Sequence, residues 1–192
     1  MSEFRLYFDY GLEHILDYAN GYDHILFIIA LCAVYLLRDW KRVLILVTAF
    51  TVGHSITLAL ATLSIIKANS EVVEFLVPLT IFITAISNLF KKDESFSHKV
   101  IHLNYGFALF FGLIHGMAFA NALGMGSKNI VTRLLAFNLG LELGQIIIVI
   151  IFLIASFIFV DIFTVQRRDW KMVLSSMIAG MALLLMKERV FW

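Results

Sequence analysis

The chain has 192 residues, is 61% hydrophobic and carries a formal net charge of +1. A soluble domain is about 45–50% apolar, so this composition, with a mean hydropathy of +0.91, excludes an ordinary soluble fold. The near-neutral charge excludes a basic face for nucleic acid, and the single cysteine, Cys32, excludes an internal disulfide and a cysteine-rich metal site.

The first twenty residues, MSEFRLYFDYGLEHILDYAN, are acidic and interrupted. They lack the basic head and continuous apolar run of a cleavable signal peptide. Leu6, Tyr10, His14 and Ala19 alternate loosely with charges, which predicts a short amphipathic helix on the membrane surface. Crossing about 30 Å of hydrocarbon takes roughly 20 apolar residues in a helix. Six stretches qualify, at about 21–37, 43–66, 72–90, 102–122, 131–160 and 170–186. The connectors RDWKR, KANSE, KKDESFSHK, GMGSKN and DIFTVQRRD are short and polar. The expectation is an all-α integral membrane protein: one domain over 1–192, six transmembrane helices in a bundle, with the short amphipathic segment at the N-terminus.

Lys and Arg set the orientation. Connectors after the first, third and fifth spans hold nine, namely Arg38, Lys41, Arg42, Lys91, Lys92, Lys99, Arg167, Arg168 and Lys171. The opposite side holds six, Arg5, Lys67, Lys128, Arg133, Lys187 and Arg189. The bias puts both termini outside.

Ionisable residues inside hydrocarbon are costly, rare and functional by default. Asp23 and His24 open the first span, His54 lies mid-way along the second, His115 lies in the fourth and Glu142 in the fifth. With both termini outside, all five share one band of depth, from the outer interface to the midplane. Neutral imidazole is a ligand for zinc, nickel, copper and iron. Three imidazoles with a carboxylate or water suit a tetrahedral zinc site or part of a nickel site. The bland alternative is helix-to-helix hydrogen bonding.

Other polar groups surround these five. Ser55 and Thr51 lie within a turn of His54, and Asn138, Glu142 and Gln145 share one face of the fifth span. His14 with Asp17 is a candidate outer access ligand, and His98 and His102 sit at the inner loop. Gly112 and Gly116 bracket His115, and Gly140 and Gly144 bracket Glu142, at a spacing that lets helices approach closely. That spacing serves packing within the chain or between copies in a homo-oligomer. No nucleotide-binding loop and no HExxH motif is present.

The segments EHILDYANGYDHILFIIAL, ILVTAFTVGHSITLALA, GFALFFGLIHGMAFANAL and FNLGLELGQ closely resemble the HupE/UreJ family of hydrogenase and urease accessory membrane proteins. The resemblance implies a multi-pass protein of the bacterial inner membrane that handles nickel or cobalt. Carried onto this sequence, it points to His14, Asp23, His24, His115 and Glu142, with His54 in the AFTxxHS segment. Two functions compete. One is a permease for a divalent transition metal, held by His24, His54, His115, Asp23 and Glu142, with His14, Ser55, Asn138 and Gln145 around them. The other is an intramembrane zinc hydrolase with Asp23 or Glu142 as base and Ser55 orienting the intermediate.

Overall fold

The structure is a computed structural model that describes residues 2–17, 22–67, 69–91, 98–118 and 130–191, with the backbone alone at 98–103 and 118. Every regular element among them is helical. In chain order these are α1 (Glu3–Leu16), α2 (Tyr22–Cys32), a 3-10 turn (Leu37–Asp39), α3 (Trp40–Thr62), α4 (Ser70–Phe90), α5 (His98–Ala118), α6 (Ile130–Phe157) with a π turn (Ile158–Ile162), and α7 (Arg167–Glu188). Four helical stretches are long and apolar enough to cross a membrane: Leu37–Thr62, Ser70–Phe90, Ile130–Ile162 and Arg167–Glu188. At 21 residues, α5 matches them in length.

The first expected span is not seen as one long helix among the described residues. The stretch 21–37 holds a helix of only 11 residues, about 16 Å long at 1.5 Å per residue. That is half of what a crossing needs, so the six-span count is not reproduced. The helix stops because Asp39 captures the chain beyond it: its carboxylate accepts the Leu36 N–H at 3.3 Å and is held by Arg42 at 2.8 Å. Carbonyls at and beyond a helix end need partners when they are buried. Asn88 Nδ2 donates to Ala30 O at 2.7 Å, and Arg167 donates to Val34 O at 2.7 Å. Although short, α2 is central and packs on α1, α3, α4, α6 and α7.

The N-terminal segment is helical, as its pattern predicts, but it does not lie apart on a surface. It runs parallel to α6, with Glu3 paired to Arg133 at the start and Ile15 against Gly144 further along. The reason is a reciprocal glycine contact. A Cβ at Gly11 would collide with the carbonyl of Phe137, and a Cβ at Gly140 would collide with the carbonyl of Phe8. Only two hydrogens at the crossing let the main chains touch, the small-residue packing typical of membrane helices. The same device joins α3 to α5, where Gly53 meets Leu109 O, Gly112 meets Phe50 O and Gly116 meets His54 O.

In α4 the helix runs through Pro78. Proline has no N–H to give to the carbonyl four residues back, here that of Glu74. Arg189, just beyond α7, approaches that oxygen at 3.4 Å.

Candidate metal centre

The two glycine-locked helix pairs deliver three histidines to one point, one from α1 and two from α3 and α5. His14 follows Gly11 by three residues on α1, and His115 follows Gly112 by three on α5. A residue one turn from the crossing faces the same side of its helix, so tight packing at the glycine carries the imidazole into the bundle. His54 adjoins Gly53 on α3, and His24 stands in the first turn of α2.

Four rings result, in a chain of neighbours. His14 and His24 have ring centres 4.5 Å apart, His24 and His115 5.2 Å, and His14 and His54 6.3 Å. His54 is fully buried and His115 is 1% exposed. Both ring nitrogens of His24, both of His54 and Nδ1 of His115 are buried and hydrogen-bond to nothing. Buried polar atoms are normally satisfied, and five orphans in one cluster are chemically expensive. Two imidazoles on one tetrahedral ion, each nitrogen about 2.0–2.1 Å from the metal, set their ring centres roughly 5 Å apart. The observed spacings bracket that value. The donor atoms are nevertheless not gathered: among the described residues no three His, Cys, Asp or Glu side chains form a ready ligand group. Ring rotations are required before an ion is shared.

The acidic partner of the cluster is Asp23. Its Oδ1 accepts the His24 backbone N–H at 2.8 Å and lies 2.9 Å from His24 Nδ1, without the alignment of a hydrogen bond. Its Oδ2 accepts from Arg189 at 3.0 Å. Thr80 Oγ1 sits 3.3 Å from His115 Nε2. On the other side of the rings lies an aromatic layer. Phe27 is centred 4.9 Å from His115 and 5.0 Å from Phe50, and Phe111 lies 5.8 Å from Phe27.

The remaining expected residues occupy a different place. Glu142 accepts the Thr48 hydroxyl at 2.6 Å, and Gln145 accepts the Thr51 hydroxyl at 2.9 Å. The polar stripe of α6 therefore faces α3, as its periodicity requires. Thr48, which holds Glu142, precedes His54 by six residues, about 9 Å along the helix axis. Asn138 is half-buried. Ser55 donates to Thr51 O at 2.7 Å, within its own helix. The side chains of His98 and His102 lie outside the described residues.

Sequence reasoning placed His14 at the periphery, and the structure puts it against His24. A signal was present: Gly11-Leu12-Glu13-His14 and Gly112-Leu113-Ile114-His115 repeat one G-L-x-H pattern. Arg189 and Thr80 were missed as well. Nothing local marks either, since Arg189 meets Asp23 across 166 positions of sequence.

The family model described as HupE / UreJ protein matches residues 1–189. The chain belongs to the HupE/UreJ family. No curated protein and no solved structure gives a significant match. Membership in HupE/UreJ agrees with the all-helical, strongly apolar architecture and makes the chain a membrane protein of a nickel- and cobalt-related family.

Proposed function

We propose that this HupE/UreJ protein binds a divalent metal of the nickel and cobalt class within the membrane and passes it across. The imidazoles of His14, His24, His54 and His115 form the ligand set, with Asp23 beside them. One observation carries this reading: four rings from four helices crowd together, and five of their buried nitrogens lack a hydrogen bond. Ordinary packing histidines in a bundle would have found partners. An arriving cation supplies a partner to one nitrogen of each ring it binds, and Asp23 lies beside Nδ1 of His24. Asp23, held by Arg189, contributes negative charge without folding away from the site.

In the proposed arrangement the protein sits in the bacterial inner membrane with both termini outside, so the rings are reached from outside. Phe27, Phe50 and Phe111 close the path behind them, and passage requires that layer to part. The hydrolase reading has less support. Glu142 is engaged by Thr48, Asp23 is held by Arg189 as well as by His24, and the Ser55 hydroxyl is turned to its own helix.

The test is metal analysis of the purified protein and nickel flux into proteoliposomes. Saturable flux that is lost in His54→Ala and His115→Ala supports the reading. Protein that retains no metal, with flux unaltered in both variants, sinks it. Tight zinc without flux turns the question to hydrolysis.

A further inference from the structure

A second site stands beyond the aromatic layer that backs the histidines, sharing Phe111 with it but holding none of the imidazoles. Between α2, α3, α4 and α5 there is a cavity of about 160 Å³. A cavity near 150 Å³ lined by apolar groups holds a benzene-sized molecule, so this one has room for a stretch of hydrocarbon. Leu31, Leu46, Ile83, Phe107 and Phe111 form its apolar wall.

Two features give the cavity a direction. Ile83 on α4 and Phe107 on α5 line it and are 48% and 49% exposed. Both belong to helices of membrane-crossing length, so the opening between them faces hydrocarbon rather than water. The other end is polar. Lys91 Nζ lies 3.4 Å from Asn88 Oδ1 and 3.3 Å from Asn104 Oδ1, and Asn104 Nδ2 donates to the Tyr35 hydroxyl at 3.3 Å. All of these groups line the cavity.

Lys91 therefore has two long contacts to neutral oxygens, and among the described residues no carboxylate lies within 4.0 Å of it. The nearby Asp39 is taken by Arg42. Burial, and then the charge of Lys171, push the Lys91 ammonium below the ordinary lysine range. An anion at this point relieves both effects, and a divalent cation would aggravate the second. The cavity is therefore unsuited to the metal and suited to a molecule with a hydrocarbon tail and a negative head. Basic pockets between membrane helices recognise anionic lipid heads in this way.

We propose that this cavity binds one acyl chain of an anionic amphiphile of the bilayer, inserted between α4 and α5, with its charged head on Lys91. The head is a phosphate or a carboxylate, since the Lys91 ammonium can donate to either.

The experiment is native mass spectrometry of the purified full chain mixed with equal amounts of phosphatidylglycerol and phosphatidylcholine of the same chain length, with palmitate in a parallel arm. Wild type is expected to retain one phosphatidylglycerol about tenfold over phosphatidylcholine. Lys91→Gln removes the charge at similar length and is expected to erase the preference. Ser87→Trp, at the cavity wall, is expected to lower retention of every amphiphile. Retention of phosphatidylglycerol alone assigns a phospholipid, and retention of palmitate alone assigns a free fatty acid. Retention of both supports a site open to either. If wild type retains no anionic amphiphile, or holds phosphatidylcholine as well as it holds phosphatidylglycerol, or if Lys91→Gln keeps the wild-type preference while Ser87→Trp keeps the wild-type retention, the proposal is overturned. Metal retention is not altered in either variant if both still fold, which separates this site from the histidine cluster.

Discussion

Gly116→Ala is the smallest change that tests how the histidines are held. The residue adjoins His115, and a Cβ there would sit on the His54 carbonyl oxygen and the Thr57 hydroxyl, 3.0 Å from the His54 carbonyl carbon. The carbonyl oxygen is the closest backbone obstacle, and relieving it requires α5 to move from α3 by roughly 1 Å. Overpacking of this kind costs about 1–3 kcal/mol in stability. The consequence for the site is larger in kind. Metal–ligand distances tolerate about 0.2 Å, and a displacement of α5 carries His115 away from His54 by several times that. Affinity for nickel is expected to fall about 10–100-fold, the range seen when the support of a ligand is disturbed. The control is Gly106→Ala on the same helix, where a Cβ meets nothing within 4 Å. Alanine favours a helix over glycine by about 1 kcal/mol, so this control should melt no earlier than wild type. The assay is competitive nickel titration with thermal melting of both variants. If Gly116→Ala matches Gly106→Ala in affinity and melting, close approach of α3 and α5 does not organise the site, and the reasoning fails.

Four further outcomes are expected. His14→Ala should reduce metal retention by at least about tenfold, as His54→Ala does, if the ring 4.5 Å from His24 is a ligand; retention by His14→Ala equal to wild type removes it from the set. Arg189→Gln should leave Asp23 without its charged partner and weaken metal binding less than any histidine variant, read by the same titration; full-strength binding would show that the Asp23–Arg189 pair has no bearing on the site. Glu142→Gln keeps an oxygen for the Thr48 hydroxyl and should cost under about 1 kcal/mol, the scale of such membrane hydrogen bonds, with metal affinity near wild type; a loss as large as that of His54→Ala would return Glu142 to the ligand set. Metal binding should weaken as pH is lowered, because protons compete with the ion for imidazole nitrogen. Titrations across pH 5–8 check the direction, and stronger binding in acid would contradict the imidazole ligand set.

Much of the site was legible in the sequence because cost is legible. His24, His54 and His115 stand inside apolar runs, and an ionisable side chain in hydrocarbon announces itself. The polar face of Asn138, Glu142 and Gln145 was legible from helical periodicity, and the structure turns it to Thr48 and Thr51. What failed was depth. Glu3, Arg5, Asp9 and Glu13 made α1 read as a surface helix, yet Glu3 is answered by Arg133, and Gly11 lets the helix dock by its main chain. A charge is polar in the sequence whether or not a partner waits 130 residues away. The first span was misjudged for a related reason. Hydropathy runs on through Ala33, Val34 and Leu36, but Asp39, Asn88 and Arg167 end the helix by taking its backbone groups. Those contacts belong to the fold and leave no local trace.

The main-chain seat of α1 on α6 also sets an order of events. Gly11 finds its place only against Phe137 and Leu141, which are synthesised more than a hundred residues later. At about 5–20 residues per second, His14 emerges many seconds before the groove that positions it exists. Until α6 is in place the four rings cannot be neighbours, so a nascent chain offers no assembled trap for metal. Competence arrives late, with α6, the fourth of the long helices, and products truncated before it would reach the membrane without it.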